Sequence, residues 1–390
     1  MNSSELTLPD ESGGSSLYRL RGAPVATPSP PHVFNRVALS AAHVVADPFA
    51  SREPSAGPAI DWDGTIRFRR HLLDLGMGIA EAMDTAQRGG GLDWQGALEL
   101  VRRSLDAAAP QERQRIFSGA GTDQLEPGDA RDLDDVVRAY IEQIEAIQKL
   151  GGRIVLMASR ALARVARTAA DYENVYRKVL ASCERPVILH WLGDMFDPLL
   201  TGYWGAGRFE PALETALAVI GANAGKIEGI KISLLDAEKE IVMRRRLPPT
   251  VKMYTGDDFN YPELIKGDAS GFSHALLGIF DPIAPAASIA LAALARGDAK
   301  TFDGILAPTV PLSRLIFRAP TQFYKTGVVF LAFLNGHQSH FVMLGGAQSM
   351  RPLPYFTTLF RLADEAGLLR DPDLATARMR RFLAFYGFGD

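Results

Sequence analysis

Short apolar segments alternate with amphipathic helical segments through the middle of this chain, and this alternation limits the folds that it can adopt. Eight strand-like runs, each followed by a helix-like run, extend over about 260 residues, the usual size of a (β/α)8 barrel. Most of the runs are continuously apolar, such as "RIVLMAS" and "PVILHW", which is typical of parallel strands covered on both faces. No Gly-rich dinucleotide-binding fingerprint follows a run, which argues against a doubly wound open sheet. The sequence therefore predicts an α/β fold, a (β/α)8 TIM barrel.

The two ends of the chain lack this alternation. The N-terminal segment is polar and rich in Ser, Pro and Gly, so we expect residues 1–33 to form a flexible arm. Residues 34–300 contain the predicted barrel. Residues 301–390 have the pattern of helices and are predicted to form a C-terminal helical extension.

The composition excludes several kinds of partner. The chain has 42 Lys and Arg against 45 Asp and Glu, a balance that gives no reason to expect nucleic acid. A single cysteine, Cys183, cannot form an intrachain disulfide. No apolar run is long enough for a membrane helix, and no signal peptide is recognisable. We expect a cytoplasmic protein without a nucleic-acid or membrane partner.

Lys231 lies in the sixth predicted strand, "IEGIKIS", between Ile230 and Ile232. Because side chains alternate along a strand, the lysine points into the barrel if the isoleucines pack against the surrounding helices. Burial lowers the pKa of an amine and so favours a nucleophile that can attack a carbonyl. The structural alternative is an ion pair with Asp257 or Glu81.

Polar residues also follow other predicted strands at their C-terminal ends, where barrel enzymes hold their reacting groups. His190, in "VILHW", is a candidate acid–base, a candidate metal ligand or a core histidine. His274, in "GFSHALL", has the same alternatives. Asp257, in "YTGDD", either binds a substrate hydroxyl, relays a proton or caps the next helix. The segment "MDTAQRGGG" either holds a carboxylate or phosphate or forms a flexible turn.

These motifs, in this order, resemble those of the dihydrodipicolinate synthase / N-acetylneuraminate lyase family. "EGIKIS" is similar to that family's G-[IV]-K-[DE]-S strand, and "YTGDD" to its G-[DN]-D turn. "DTAQRGGGLDW" falls where the family has "GTTGEg..L". The resemblance covers residues 36–300, and the whole chain resembles a distant branch known as the DUF993 family.

The resemblance implies a class I aldolase-type homo-oligomer, a dimer or tetramer, in which Lys231 forms a Schiff base with a small-molecule carbonyl substrate and no cofactor or metal is needed. The family's threonine pair is Thr85 and Ala86 here, and its relay tyrosine is His190. We therefore expect His190 to act as the acid–base and the substrate to be a keto acid or keto sugar derivative. The expected substrate-binding residues are Thr85, Gln87, Arg88, Arg160, Asp257 and His274.

Two other functions fit the same residues. A metal-dependent barrel lyase or isomerase would use the strand-end side chains Glu81, Asp84, His190, Asp257 and His274. A non-catalytic barrel would only bind a ligand.

Overall fold

Ten strands are present in a computed structural model of the protein, which describes residues 5–388. Eight parallel strands close into a barrel in which each strand pairs with the next along the chain and the last pairs with the first. The strands are β1 (Glu5–Pro9), β2 (Ser15–Arg19), β3 (Ala38–Ala41), β4 (Gly78–Glu81), β5 (Ile116–Ala120), β6 (Arg153–Leu156), β7 (Val187–Leu192), β8 (Ile227–Ser233), β9 (Lys252–Thr255) and β10 (His274–Leu277). The barrel strands β3 to β10 are the eight predicted strands in order, so the predicted fold is confirmed.

Helices separate the barrel strands along the chain and make up most of the C-terminal part. The α-helices are α1 (Trp62–Asp74), α2 (Trp94–Ala107), α3 (Pro110–Arg113), α4 (Leu133–Lys149), α5 (Arg160–Val165), α6 (Ala169–Ala181), α7 (Phe209–Ala222), α8 (Ala237–Arg244), α9 (Tyr261–Lys266), α10 (Ala284–Ala295), α11 (Ala299–Leu306), α12 (Val310–Ile316), α13 (Tyr324–Leu334), α14 (Leu353–Glu365) and α15 (Pro372–Phe385). Short 3₁₀ helices lie at Pro54–Ala56, Asp84–Ala86, Pro127–Asp129, Pro198–Leu200, Tyr203–Gly205, Ala224–Lys226, Ala307–Thr309, Thr321–Phe323 and Leu344–Ser349. None of the helices in residues 5–388 has the length and apolar character that crossing a membrane requires.

The chain divides into two compact units. One contains residues 36–42 and 77–278, and it carries all eight barrel strands together with α2 to α9. The other contains residues up to 35, residues 43–76 and residues from 279 onward, with the remaining helices. The boundaries expected from the sequence, at residues 33 and 300, divide the chain differently and stay a prediction.

An N-terminal hairpin lies within the segment for which we expect a flexible arm. β1 and β2 pair antiparallel, with Glu5 opposite Arg19. Tyr18 is buried, and its hydroxyl donates a hydrogen bond to Asp364 Oδ2 at 2.7 Å. Residues 5–19 are therefore fixed by a contact 346 positions away, whereas residues 1–4 lie outside the described part.

The interior of the barrel is a layer of buried side chains from successive strands. Its members include Leu39, Ala80, Phe117, Val155, Ile188, Tyr254 and Leu276. Because side chains on a strand alternate between its faces, Ile188 places His190 on the inner face of β7. Gly229 lies against the ring of Tyr254, so Lys231 and Ser233 also lie on the inner face of β8.

Candidate active site

Lys231 faces the barrel interior two residues before the end of β8. It pairs in register with His190 on β7 and Tyr254 on β9. Its neighbours Ile230 and Ile232 are fully buried and face the other way, as the alternation predicts. Lys231 itself is only 7% exposed.

The ammonium of Lys231 is not part of a structural ion pair. Among residues 5–388 its Nζ atom has neither a hydrogen-bond partner nor an acidic oxygen within ion-pair distance. Asp257 instead accepts hydrogen bonds from the backbone N–H groups of Phe259 and Asn260. Glu81 accepts one from Ser104 Oγ at 2.5 Å. The sequence alternative of an ion pair with Asp257 or Glu81 is therefore wrong.

Burial lowers the pKa of Lys231, and the nearby carboxylates of Asp258 and Asp84 partly offset this effect. Burial disfavours the ammonium form because the interior solvates charge poorly, whereas the two carboxylates favour it. The direction of the result is downward, so the neutral, nucleophilic amine is more populated at neutral pH than in an ordinary lysine.

His190 lies beside Lys231 and is 1% exposed. Its Nε2 atom is 3.3 Å from Ser233 Oγ, within hydrogen-bond distance. Burial, and then the neighbouring charge of Lys231, lowers the pKa of His190 well below its ordinary value. The imidazole is therefore neutral near pH 7, which is the protonation state that a general base needs.

Gly256, directly after β9, leaves room for the side chains of Lys231 and Ser233. A Cβ atom at this position would lie 2.7 Å from Lys231 Cε and 2.2 Å from Ser233 Oγ. Both distances are far inside van der Waals contact. The glycine of the "TGDD" motif therefore has a steric role that we did not infer from the sequence.

The loop after β4 contains Thr85, Gln87 and Arg88, all buried. Gln87 adopts a left-handed backbone with φ of 64°, and its side-chain amide donates to Gly90 O at 3.2 Å. The backbone N–H groups of residues 86–90 and 92 all donate to carbonyl groups within this loop. The arrangement fits the turn alternative rather than a cradle for a carboxylate or phosphate.

Arg88 is held entirely by protein groups. It forms a two-point ion pair with Asp123, with both N–O distances at 2.7 Å. Its remaining N–H groups donate to Ala82 O, Gly119 O and Gln143 Oε1. These contacts use all five donors of a guanidinium, so they indicate a structural role.

Arg160 begins α5, and its Nε donates to Asp197 Oδ2 at 2.6 Å. Its side chain is 42% exposed, and its guanidinium lies against Gly89 in the loop after β4. Arg160 is therefore at the rim, already paired with a carboxylate.

His274 is the first residue of β10, at the N-terminal end of the strand and not at its C-terminal end. Its Nδ1 atom accepts a hydrogen bond from the backbone N–H of Val37 at 3.0 Å. Burial, then the positive charges of Lys252 and Arg36, lowers its pKa to about 4. The expected substrate-binding role of His274 has no support, because the predicted strand "SGFSHALL" begins four residues too early.

The proposed ring of metal ligands does not form. No three His, Cys, Asp or Glu side chains within residues 5–388 are arranged to hold a metal ion. Glu81 faces α2 through Ser104, and His274 is at the wrong end of its strand. The geometry of these residues does not support the metal-dependent alternative.

Backbone strain marks the loops that follow the barrel strands. Within residues 5–388, the non-glycine residues with positive φ are Ala82, Gln87, Trp204 and Leu235, at 52–67°. Ala82 and Gln87 follow β4, Trp204 follows β7, and Leu235 follows β8. Such strain is concentrated at functional sites, and here it lies in the loops at the C-terminal ends of the strands. Nothing in the local sequence indicated it.

The sequence profile of a family described as "Protein of unknown function (DUF993)" matches residues 6–388. The chain belongs to the DUF993 family. No curated protein matches the sequence of this DUF993 chain at a significant level.

Solved structures of dihydrodipicolinate synthase relatives share the fold of the DUF993 chain. A prophage protein of the dihydrodipicolinic acid synthase family from E. coli K12, in complex with pyruvate, is 16% identical with a TM-score of 0.66, covering 86% of this chain and 100% of its own. The chloride-inhibited dihydrodipicolinate synthase from Acinetobacter baumannii, complexed with pyruvate, is 17% identical with a TM-score of 0.63, covering 85% and 99%. Dihydrodipicolinate synthase from Oceanobacillus iheyensis is 17% identical with a TM-score of 0.56, covering 77% and 87%. At these identities the similarity shows the fold alone.

Proposed function

We propose that this DUF993 chain is a Schiff-base-forming lyase of the class I aldolase or dehydratase type, acting through Lys231 on a keto acid or keto sugar derivative. The observation that carries the proposal is an interior lysine without an ion-pair or hydrogen-bond partner among residues 5–388. Burying an amine in this state lowers the stability of the folded protein, so a chemical function explains why it is present. The fold, shared with dihydrodipicolinate synthases, supports the same class of reaction.

The chemistry follows from the state of the two neighbouring side chains. The lone pair of Lys231 Nζ attacks the substrate carbonyl carbon, and the carbonyl oxygen leaves as water when the C=N bond forms. The protonated imine then accepts the electron pair of a C–C or C–H bond that breaks at the adjacent carbon, giving an enamine. A lowered amine pKa favours the first step because attack requires the neutral amine.

His190 is the acid–base of this proposal. Its neutral imidazole accepts the proton released when the bond breaks. It then returns a proton to the enamine carbon, which regenerates the imine. Ser233 Oγ, 3.3 Å from its Nε2, orients the ring. His190 and Lys231 lie directly opposite each other on neighbouring strands, which are ~4.8 Å apart in a sheet, so both reach the same bound carbonyl compound.

Borohydride trapping tests the proposal. The purified protein is incubated with a panel of carbonyl compounds, reduced with sodium borohydride and digested, and the modified residue is located by peptide mass spectrometry. We expect an adduct on Lys231 with at least one compound that the protein also turns over.

Two variants make the result specific. Lys231→Met should abolish the adduct and turnover. Lys252→Arg is the matched control, because Lys252 begins the adjacent strand β9 and pairs with Glu228 at 3.1 Å, an ion pair that arginine retains. Turnover without a Lys231 adduct, or an adduct that persists in Lys231→Met, would contradict the proposal.

A further inference from the structure

The charges that act on Lys231 are negative. Asp258 lies two residues after Gly256, where an added Cβ atom would meet the Lys231 side chain, and Asp84 begins the 3₁₀ helix after β4. Burial lowers the pKa of Lys231, whereas both carboxylates attract its ammonium group and raise that pKa. A substrate carboxylate held beside Lys231 would have the same sign of charge as these two neighbours.

The nearest cation along the chain from Asp84 is not available to balance a substrate carboxylate. Arg88 is buried, and all five of its N–H donors are bonded to Asp123, Gln143 and the carbonyl oxygens of Ala82 and Gly119. Arg160, at the rim, is already paired with Asp197, so this pair adds no net positive charge.

Six backbone N–H groups in the loop that contains Asp84, those of residues 86–90 and 92, are already used within the loop. An anion-binding turn needs several N–H groups that point outward together. In the loop after β4, the N–H groups of Ala86, Gln87 and Arg88 donate to the carbonyl oxygens of Met83 and Asp84. Those of residues 89, 90 and 92 also donate within the loop.

These three observations point to the charge of the substrate, on the condition that Lys231 acts as proposed above. We infer that Lys231 takes an uncharged, hydroxylated carbonyl compound, and not a 2-keto acid. Carboxylates such as Asp84 and Asp258 accept hydrogen bonds from substrate hydroxyl groups, and such charge-assisted bonds are strong. A hydroxymethyl group beside the carbonyl would therefore be held where a carboxylate would be repelled.

Hydroxyacetone and pyruvate test this inference directly, because they differ only in whether a hydroxymethyl group or a carboxylate is attached to the same acetyl unit. The rate of borohydride-trapped adduct formation on Lys231 is measured for each compound and divided by its rate with N-acetyl-lysine under the same conditions. We expect the corrected rate to be at least tenfold higher for hydroxyacetone.

The outcomes separate this inference from the proposed function. A corrected rate that is equal for the two compounds or higher for pyruvate would overturn the inference and leave the Schiff-base mechanism intact. No adduct on Lys231 with either compound, nor with the wider carbonyl panel, would overturn both.

Charge-removing variants identify the groups responsible. Asp84→Asn and Asp258→Asn should each lower the ratio of hydroxyacetone to pyruvate rates by about tenfold. A change in the reactivity of Lys231 itself affects both compounds and cancels in this ratio. Asp194→Asn is the matched control, because Asp194 follows β7 and is exposed, and its ratio should equal that of the wild type. A wild-type ratio in both the Asp84 and the Asp258 variants would contradict the inference.

Discussion

Gly256→Ala is the substitution for which the geometry makes the sharpest prediction. The added Cβ atom would lie 2.2 Å from Ser233 Oγ and 2.7 Å from both Lys231 Cε and the carbonyl oxygen of Ile232. Gly256 does not have a positive φ, so alanine is compatible with its backbone and the effect comes from these contacts. The Ile232 oxygen already accepts the Gly256 N–H at 2.9 Å, so the backbone cannot move away without losing that bond.

The side chains of Lys231 and Ser233 must therefore move. Overpacking of this kind costs about 1–3 kcal/mol of unfolding free energy. A displacement of about 1 Å in a reacting group lowers its rate by about 100-fold. We expect Gly256→Ala to fold with this modest loss and to form the Lys231 adduct about 100-fold more slowly.

Urea denaturation and the borohydride trapping rate measure the two effects separately. Gly225→Ala is the control, because Gly225 lies just before β8 and a Cβ atom there would have no neighbour within 4 Å. A Gly256→Ala protein that traps substrate at the wild-type rate would refute the steric argument. An equal loss in Gly225→Ala would show that the effect is not specific to the site.

Three further predictions concern buried charged groups. Lys231→Met should raise the unfolding free energy at pH 7, measured by urea denaturation, by about 1–3 kcal/mol. The reason is that the unfolded chain binds the lysine proton more readily than the native state does. A loss of stability in this variant would contradict the lowered pKa of Lys231. Burial raises the pKa of Glu240 from 4.5 to about 8, so the native state retains a proton that the unfolded chain releases, and stability should fall as the pH rises from 4.5 to 8. Glu240→Gln should flatten this dependence and raise the unfolding free energy at pH 8 by about 4 kcal/mol. An unchanged pH profile in thermal unfolding would exclude this explanation. Arg88→Met should lower the unfolding free energy by about 3–5 kcal/mol by leaving Asp123 without its ion-pair partner, and a cost below about 1 kcal/mol would show that the pair is not structural.

Much of the barrel and the placement of Lys231 could be predicted because they depend on local periodicity. Parallel strands covered on both faces are continuously apolar, and the period of two along β8 separates Lys231 from Ile230 and Ile232. These features are visible within a few residues of sequence.

The role of Arg88 and the N-terminal hairpin could not be predicted, because they depend on contacts between residues far apart in the chain. Arg88 resembles a substrate-binding residue until its partners are known, and these are 35 and 55 positions away. The N-terminal hairpin depends on Tyr18 meeting Asp364. The position of His274 differs from the prediction for another reason. A turn bridged by Asp268 and Gly271 precedes β10, and an apolar run does not show at which residue its strand begins.

The reactivity of Lys231 as a function of pH tests the central claim most directly. The rate of reductive methylation of each lysine by formaldehyde and cyanoborohydride is followed by peptide mass spectrometry between pH 6 and 11. We expect the rate at Lys231 to level off at a lower pH than the ordinary lysine pKa of about 10.4, because burial lowers the pKa of Lys231. A rate at Lys231 that rises with the same midpoint as an ordinary lysine, or no modification of Lys231 at any pH, would contradict this claim.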